Sequence, residues 1–211
     1  MRTILSGICL LITAITFAQK ECASFTYTDQ QKSIDPSFAE KLNNIEYFVK
    51  AQKLSARILG EDAPVIIKIP VVVHVLYKTA GQNISDDQIM TQIEALNKDF
   101  RRRNSDTVNT PERFKSVAAD IQVEFALATA DPKGRATNGI IRKAASISRW
   151  TIDDKIKFSS QGGDDAWDSR YYLNVWIGDL GTLLGYSSVP GAPAEKDGVV
   201  INYTTFGTIN V

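Results

Sequence analysis

The stretch YYLNVWIGDLGTLLGYSSVPGAPAEKDGVVINYTTFGTINV, residues 171–211, decides the fold of this chain. Its β-branched and aromatic residues are concentrated at 172–177, 183–189 and 199–203, and Gly, Pro and Asp separate these runs. Apolar runs bounded by turn residues predict three short strands. The sequence ends soon after the third strand, on an apolar tail. We therefore expect that further chain follows.

The order of these segments carries a specific resemblance. YLNVWIGDLG, LLGYSSVPG and DGVVINYTTFGT are similar to the segments that precede the zinc helix in the pappalysin family of metzincin peptidases. In that family the helix carries HExxHxxGxxH, whose three histidines hold zinc and whose glutamate is the general base. The resemblance implies a secreted zinc endopeptidase that hydrolyses peptide bonds with a zinc-activated water. It also implies a peptide or protein as the substrate.

The zinc motif itself is missing from the 211 residues. The sequence contains a single histidine, His74, and catalytic zinc needs three protein ligands. Zinc is therefore expected for the complete enzyme but is not bindable by this chain alone. We expect an N-terminal fragment with no catalytic residue, inactive as written. The alternative is a non-catalytic exported module that binds extended peptides along an edge strand.

The N-terminus has the features of a signal peptide. A positive charge at Arg2 precedes an apolar run at 4–15, and small residues occupy the positions before a cleavage point after Ala18. This pattern predicts a signal peptide at 1–18 and a secreted or periplasmic location. The run is shorter than the roughly 20 residues of a membrane span, so no membrane association is expected after cleavage. Lys+Arg and Asp+Glu number 24 each, which does not favour nucleic acid as a partner.

Cys22 is the one cysteine that would remain after this cleavage. Without a partner it cannot close an internal disulfide, and a tolerated thiol near the terminus is the simpler interpretation. The family resemblance implies a second one, because pappalysin zymogens carry an early propeptide cysteine whose thiolate occupies the zinc. Cys22 would then be a zinc ligand in the zymogen. The family usually has glycine after this cysteine, whereas Ala23 stands here.

Residues 19–66 are predicted to be a helical, propeptide-like segment. Ser37 and Glu40 form a capping-box pattern, and the residues that follow repeat with helical spacing. The repeating apolar residues are Phe38, Leu42, Ile45 and Val49. The helix is interpreted either as an ordinary surface helix or as a propeptide helix across a cleft. Residues 60–64 read as an exposed linker.

Residues 67–211 are predicted to form the N-terminal, sheet part of a metzincin-like catalytic domain. The continuous β-branched run at 65–77 predicts a strand buried on both faces, with His74 in a structural role. Ser85 and Gln88 predict the start of a helix that runs to about residue 103 and backs the sheet. The fold class is therefore α/β (α+β), a twisted mixed sheet of four to five strands with a backing helix.

Two groups of residues are candidates for binding. The resemblance places Gly185 and Tyr186 on the edge strand along which substrate adds antiparallel, although the pattern alone predicts an ordinary hairpin. Two acidic pairs, Asp153–Asp154 and Asp164–Asp165, provide carboxylates of the kind that calcium binds. Calcium is a candidate cofactor on this ground. No EF-hand spacing is present, and the alternative is that these are ordinary acidic pairs on surface loops.

Overall fold

The computed structural model describes residues 21–59 and 65–209. The predicted signal peptide at 1–18 and the predicted linker at 60–64 lie outside the described residues. Within the described ranges, no helix combines the length and apolarity needed to cross a membrane.

A single mixed sheet is the framework of the molecule. Its strands are β1 (Glu21–Cys22), β2 (Ile67–Tyr77), β3 (Val123–Leu127), β4 (Ile140–Ala144), β5 (Leu173–Gly178), β6 (Leu183–Ser187) and β7 (Val199–Asn202). The order across the sheet is β1-β6-β7-β5-β2-β3, and β4 also pairs with β2. All pairs are parallel except β6 with β7.

The predicted α/β class with a mixed sheet is confirmed, while the described residues form seven strands rather than four to five. Part of the difference comes from the length of β2, which lets two short strands pair along one of its sides. β3 pairs with the first half of β2 and β4 with the second half. The seventh strand, β1, comes from the N-terminal segment. Two residues are too few to show a periodic pattern, so sequence reasoning could not find it.

Strand β2 is buried on both faces over residues 71–76, as its composition predicted, whereas residues 67–70 are exposed or half-buried. Val71, Val73 and Val75 face the helix α3 (Asp86–Phe100), whose Ile89 and Ile93 complete that layer of the core. The alternate side chains of β2 contribute to a second layer on the opposite face, where the largest buried side chain is that of Trp176. The sheet therefore separates two apolar layers.

Helix α3 begins as the sequence predicted. Ser85 is the N-cap, and its side chain accepts a hydrogen bond from the backbone N–H of Gln88 at 3.1 Å. Only this half of the capping box forms, because the Gln88 side chain donates instead to the carbonyl of Phe206 at 2.8 Å. The helix start is thereby joined to the residues that follow β7.

The N-terminal segment contains two helices, α1 (Ser24–Ile34) and α2 (Ser37–Leu59). The predicted capping box at Ser37 is wrong, because the Asp35 carboxylate accepts from both the N–H and the hydroxyl of Ser37 and so caps α2. Phe38 is buried, whereas Val49 is exposed, so only the first part of the predicted apolar face is covered. A short helix, α4 (Glu112–Lys115), lies between α3 and β3.

Candidate functional site

The edge of the sheet at β6 is covered by the N-terminal segment. The backbone N–H of Ala23 donates to the carbonyl of Gly185 at 2.9 Å, immediately after the two residues of β1. Strand β1 runs parallel to β6, with Glu21 opposite Leu183 and Cys22 opposite Gly185. The N-terminal segment therefore occupies backbone carbonyls of Thr182 and Gly185 at this edge, and extended peptides add to sheets at edges of this kind.

Side chains extend this contact beyond the two-residue strand. The hydroxyl of Ser24 accepts a hydrogen bond from the backbone N–H of Ser187 at 3.2 Å and lies 3.3 Å from the Ser187 hydroxyl. The same hydroxyl is 3.5 Å from the Cys22 thiol. Ser24 thus joins the cysteine to the end of β6.

The Cys22 thiol lies exposed beside this edge and is free. Hydrogen bonds from Ser24, first from its side chain and then from its backbone, lower the pKa of the thiol. A lowered pKa favours the thiolate, which is the form that binds metals. Among the described residues, no group of three or more His, Cys, Asp or Glu side chains is arranged to hold a metal ion.

Gly185 and Tyr186 lie at the centre of β6, both buried. A Cβ on Gly185 would be 2.4 Å from the carbonyl oxygen of Val200, so the close pairing of β6 with β7 requires glycine there. The Tyr186 side chain is 1% exposed and lies in the core on the face opposite α3. At this edge β6 thus presents its backbone rather than the Tyr186 ring. The role of both residues in substrate binding stays a prediction.

Tyr27 is the residue of α1 that enters the core, and sequence reasoning missed it. Its ring centroid lies 4.9 Å from that of Tyr186, and its hydroxyl donates to the Asp154 carboxylate at 3.0 Å. The three residues are far apart in the sequence and show no common pattern. The segment 19–66 was predicted to be helical, but the apolar repeat that begins at Phe38 gave no separate signal for α1 or for the burial of Tyr27.

Three solved structures are similar to this chain. Mirolysin in complex with a small compound is 48% identical with a TM-score of 0.67, and the match covers 69% of this chain and 56% of that one. Mature mirolysin of Tannerella forsythia with a cleaved peptide is 47% identical with a TM-score of 0.67, covering 70% and 56%. A promirolysin mutant from the same organism is 42% identical with a TM-score of 0.75, covering 90% and 62%.

Mirolysin is a pappalysin-type metzincin. The chain belongs to this family. The resemblance drawn from the terminal strands is thereby confirmed, and the chain spans between 56% and 62% of the length of the solved proteins it matches. No protein-family model matches the sequence. No curated protein sequence matches it either.

His74 of this pappalysin-type chain is fully buried and hydrogen-bonded through both ring nitrogens. Nδ1 lies 2.7 Å from the Asp164 carboxylate and Nε2 lies 3.2 Å from the side-chain oxygen of Asn174. The Trp167 backbone orients the Asn174 side chain, because the Asn174 oxygen accepts from the Trp167 N–H and the Asn174 nitrogen donates to the Trp167 carbonyl. Since the oxygen of Asn174 faces His74 and can only accept, Nε2 of His74 is the donor. With Asp164 at Nδ1 and Asn174 at Nε2, both ring nitrogens are used inside the protein, so His74 has a structural role.

The four carboxylates considered for calcium all have protein partners instead. Asp153 pairs with Lys155, Asp154 with Lys157, Asp164 with His74, and Asp165 accepts from the backbone N–H of Ser159. Calcium takes six to eight oxygen ligands, and these carboxylates do not converge on one point. The expectation of calcium from these acidic pairs therefore has no support in the structure.

An apolar groove lies between α3 and the neighbouring strands of the sheet. Its cavity volume is about 250 Å³, and its lining residues are almost all apolar. They include Leu96, Phe100, Val175, Val199 and Ile201. The groove is on the face opposite Tyr27.

Proposed function

We propose that this chain is the N-terminal part of the zymogen of a secreted pappalysin-type zinc endopeptidase. Residues 1–18 are the signal peptide, 19–66 the propeptide, and 67–211 the sheet part of the catalytic domain. The observation that supports this best is the parallel pairing of β1 with β6. The propeptide then occupies the edge on which a peptide substrate would align.

The direction of β1 suits an inhibitory segment. Substrate in metzincins adds antiparallel to the edge strand, whereas Glu21 and Cys22 run parallel to β6. A segment in the reverse direction occupies the same backbone groups without presenting a peptide bond in the productive orientation. The substrate class, an extended peptide, is also supported by the similar mirolysin structure that contains a cleaved peptide.

The lengths of the structural matches agree with a propeptide. The match to promirolysin covers 90% of this chain, and the match to mature mirolysin covers 70%. The difference is a fifth of the chain, which is close to the length of the described segment 21–59. We therefore assign this segment to the part that is removed on maturation.

Cys22 is proposed as the zinc-blocking thiolate of the complete zymogen. It lies beside the occupied edge, it is exposed, and its pKa is lowered by Ser24. Among the described residues, His74 is hydrogen-bonded to Asp164 and Asn174, and Cys22 is a single candidate ligand. Catalytic zinc requires three protein ligands, so no hydrolytic step is assigned to the 211 residues.

The alternative function is a non-catalytic module that binds peptides at β6. The occupied edge strand is compatible with it, but the apolar groove beside α3 is not a favourable surface for a finished secreted module. In the zymogen proposal, a segment that follows β7 covers this groove. We therefore prefer the zymogen.

The test combines the chain with its coding DNA. We expect the reading frame to continue past Val211 into HExxHxxGxxH. The 211-residue chain itself should contain far less than one zinc per molecule by elemental analysis and should not cleave casein. Casein cleavage by this chain that a chelator abolishes would contradict the predicted inactivity, and an intact transcript that stops at Val211 would contradict the zymogen.

The role of Cys22 is tested in the extended product. Replacement Cys22→Ala should raise zinc-dependent cleavage before the propeptide is removed, because the blocking ligand is lost. Ser33→Ala on α1 is the matched control and should leave the latent enzyme unchanged. Equal latency in both variants would show that Cys22 does not block the metal.

A further inference from the structure

Tyr27 is enclosed by a group of side chains from the catalytic part of the chain. Lys157 is fully buried, and its Nζ lies over three aromatic rings, 4.8 Å from Tyr27, 5.0 Å from Tyr186 and 5.7 Å from Trp176. Such distances are those of cation–π contacts, which are strongest where the cation is desolvated. Tyr27 therefore forms one wall of an aromatic cage around a buried ammonium group.

The Asp154 carboxylate contacts both Tyr27 and Lys157 within this cage. One carboxylate oxygen accepts from the Tyr27 hydroxyl at 3.0 Å, and the other lies 2.9 Å from Lys157 Nζ, which also donates to the Lys196 carbonyl at 2.8 Å. Lys196 Nζ adds a second cation at 3.2 Å from Asp154. The backbone of Asp154 is left-handed, with φ of 64°, which is uncommon for a residue other than glycine.

The cage is a built site rather than a chance contact. Asp154, Lys157, Trp176 and Tyr186 are each at most 3% exposed, and the hydroxyl of Tyr186 is buried with no hydrogen-bond partner in the described part of the chain. Removing Tyr27 would leave a buried ammonium, a buried carboxylate and two ring faces around one vacated space. Charged groups of this kind are costly unless a partner replaces the lost contacts.

We propose that Asp154, Lys157, Trp176 and Tyr186 form a tyrosine-binding socket, which holds the N-terminal segment by Tyr27 and accepts a free phenol when Tyr27 is absent. We refer to these four residues as the tyrosine socket. Its ligand class is a neutral phenol, because the Asp154 carboxylate accepts a hydrogen bond from the hydroxyl and therefore needs an O–H donor at that position. Burial, and then the charge of Asp154, raises the pKa of Tyr27, which agrees with a neutral bound phenol.

The socket also determines the register of β1. The pairing of β1 with β6 uses backbone groups and extends over only Glu21 and Cys22, so by itself it does not distinguish one register from the next. Tyr27 lies in the same segment, on the helix that follows directly. Its position in the socket, together with the hydrogen bond between Ser24 and Ser187, therefore fixes where Cys22 lies along the edge. This positioning role rests on the proposed zymogen, whereas binding of a phenol does not.

The first test measures amide hydrogen exchange in the 211-residue protein. In Tyr27→Ala the amides of residues 23–34 should exchange roughly tenfold faster or more, because the segment undocks, while those of 71–76 in β2 should remain protected. Tyr27→Phe retains the ring and should give a smaller effect. Phe25→Ala is the matched control on the same helix, since Phe25 is 88% exposed, and should resemble the parent protein. Equal exchange in Tyr27→Ala and Phe25→Ala would overturn the proposal.

The second test supplies the missing side chain. p-Cresol should raise the thermal midpoint of Tyr27→Ala in a saturable manner. Amide protection in residues 23–34 should return only if the N-terminal segment docks again beside the bound p-cresol. Toluene should stabilise less, because it cannot donate to Asp154. An equal response of the parent protein and Tyr27→Ala to p-cresol would overturn the socket. That failure would leave the zymogen proposal standing, since zinc content, activity and the reading frame test it separately.

Discussion

The backbone N–H of Ala23 donates a 2.9 Å hydrogen bond to the carbonyl of Gly185, and this bond joins the N-terminal segment to the edge strand β6. The contact places Cys22 opposite Gly185. An exposed sheet edge pairs readily with any extended chain, so occupation by an internal segment protects it. In the proposed zymogen the same occupation excludes substrate.

The first prediction concerns Gly185. A Cβ there would lie 2.4 Å from the Val200 carbonyl oxygen, so Gly185→Ala should force β6 away from β7 and lower the free energy of unfolding by about 1–3 kcal/mol. Urea denaturation measures the difference. Gly81→Ala is the control, because no heavy atom lies within 4 Å of a Cβ at that position. If both variants unfold at the same urea concentration, the close pairing of β6 with β7 does not require glycine.

The second prediction concerns the buried pair of His74 and Asp164. Their atoms are 2.7 Å apart, and His74 is fully buried. His74→Ala removes a fully buried ring and leaves the Asp164 carboxylate only its longer contact with Lys143 at 3.5 Å, so it should cost about 3–5 kcal/mol of stability. Lys155→Ala removes an exposed ion pair with Asp153 and should cost about 1 kcal/mol or less. Similar losses in the two variants would show that the buried pair contributes no more than a surface pair.

The third prediction concerns the reactivity of Cys22. The hydroxyl of Ser24 is the largest cause of the lowered thiol pKa, so Ser24→Ala should move this pKa upward. At pH values below the pKa, alkylation should become slower because less thiolate is present. The measurement is the iodoacetamide rate against pH in a Cys9→Ser background, where Cys22 is the remaining cysteine.

The control for this experiment is Ser33→Ala, which also removes a serine hydroxyl from α1. Ser33 donates to the Gln30 carbonyl and makes no contact with the thiol. Its pH–rate profile should coincide with that of the background protein. A Ser24→Ala profile that also coincides would contradict the assigned cause of the shift.

The fourth prediction concerns the apolar groove beside α3. A hydrophobic dye such as ANS should fluoresce in the presence of the folded 211-residue chain, because the groove exposes apolar side chains. Leu96→Asn in the groove should weaken the signal. Val117→Asn, at a residue that is 74% exposed and outside the groove, should not. Fluorescence that neither variant changes would place the dye elsewhere.

Several parts of the fold were predictable because their information is local. The apolar run of β2 predicted a strand buried on both faces, and the structure confirms it for residues 71–76. Ser85 predicted the start of α3, and its side chain caps that helix. Each of these features depends on residues within one or two turns or on a single strand, so a periodic pattern is enough to show it.

Other parts were not predictable, since their stabilising contacts come from distant residues. Helix α1 has little apolar periodicity, and its one deeply buried residue is Tyr27, whose partners lie more than a hundred positions away. The sequence assigned the N-cap of α2 to Ser37. In the structure Asp35 caps the helix instead, because its carboxylate accepts from both the backbone N–H and the hydroxyl of Ser37. A carboxylate near a helix N-terminus is also favoured by the helix dipole.

By itself, the sequence determined the three terminal strands, the two-sided burial of β2, the backing helix, the resemblance to the pappalysin-type metzincins and the lack of a zinc motif in these 211 residues. Only the tertiary structure decided that β1 covers β6, that Asp164 and Asn174 engage His74, and that Tyr27 is seated against Lys157 and Tyr186. The physical reason is that local propensity and periodicity are properties of neighbouring residues. The occupied edge and the tyrosine socket instead exist because folding brings one hydroxyl, one buried cation and three aromatic rings from separate segments into contact.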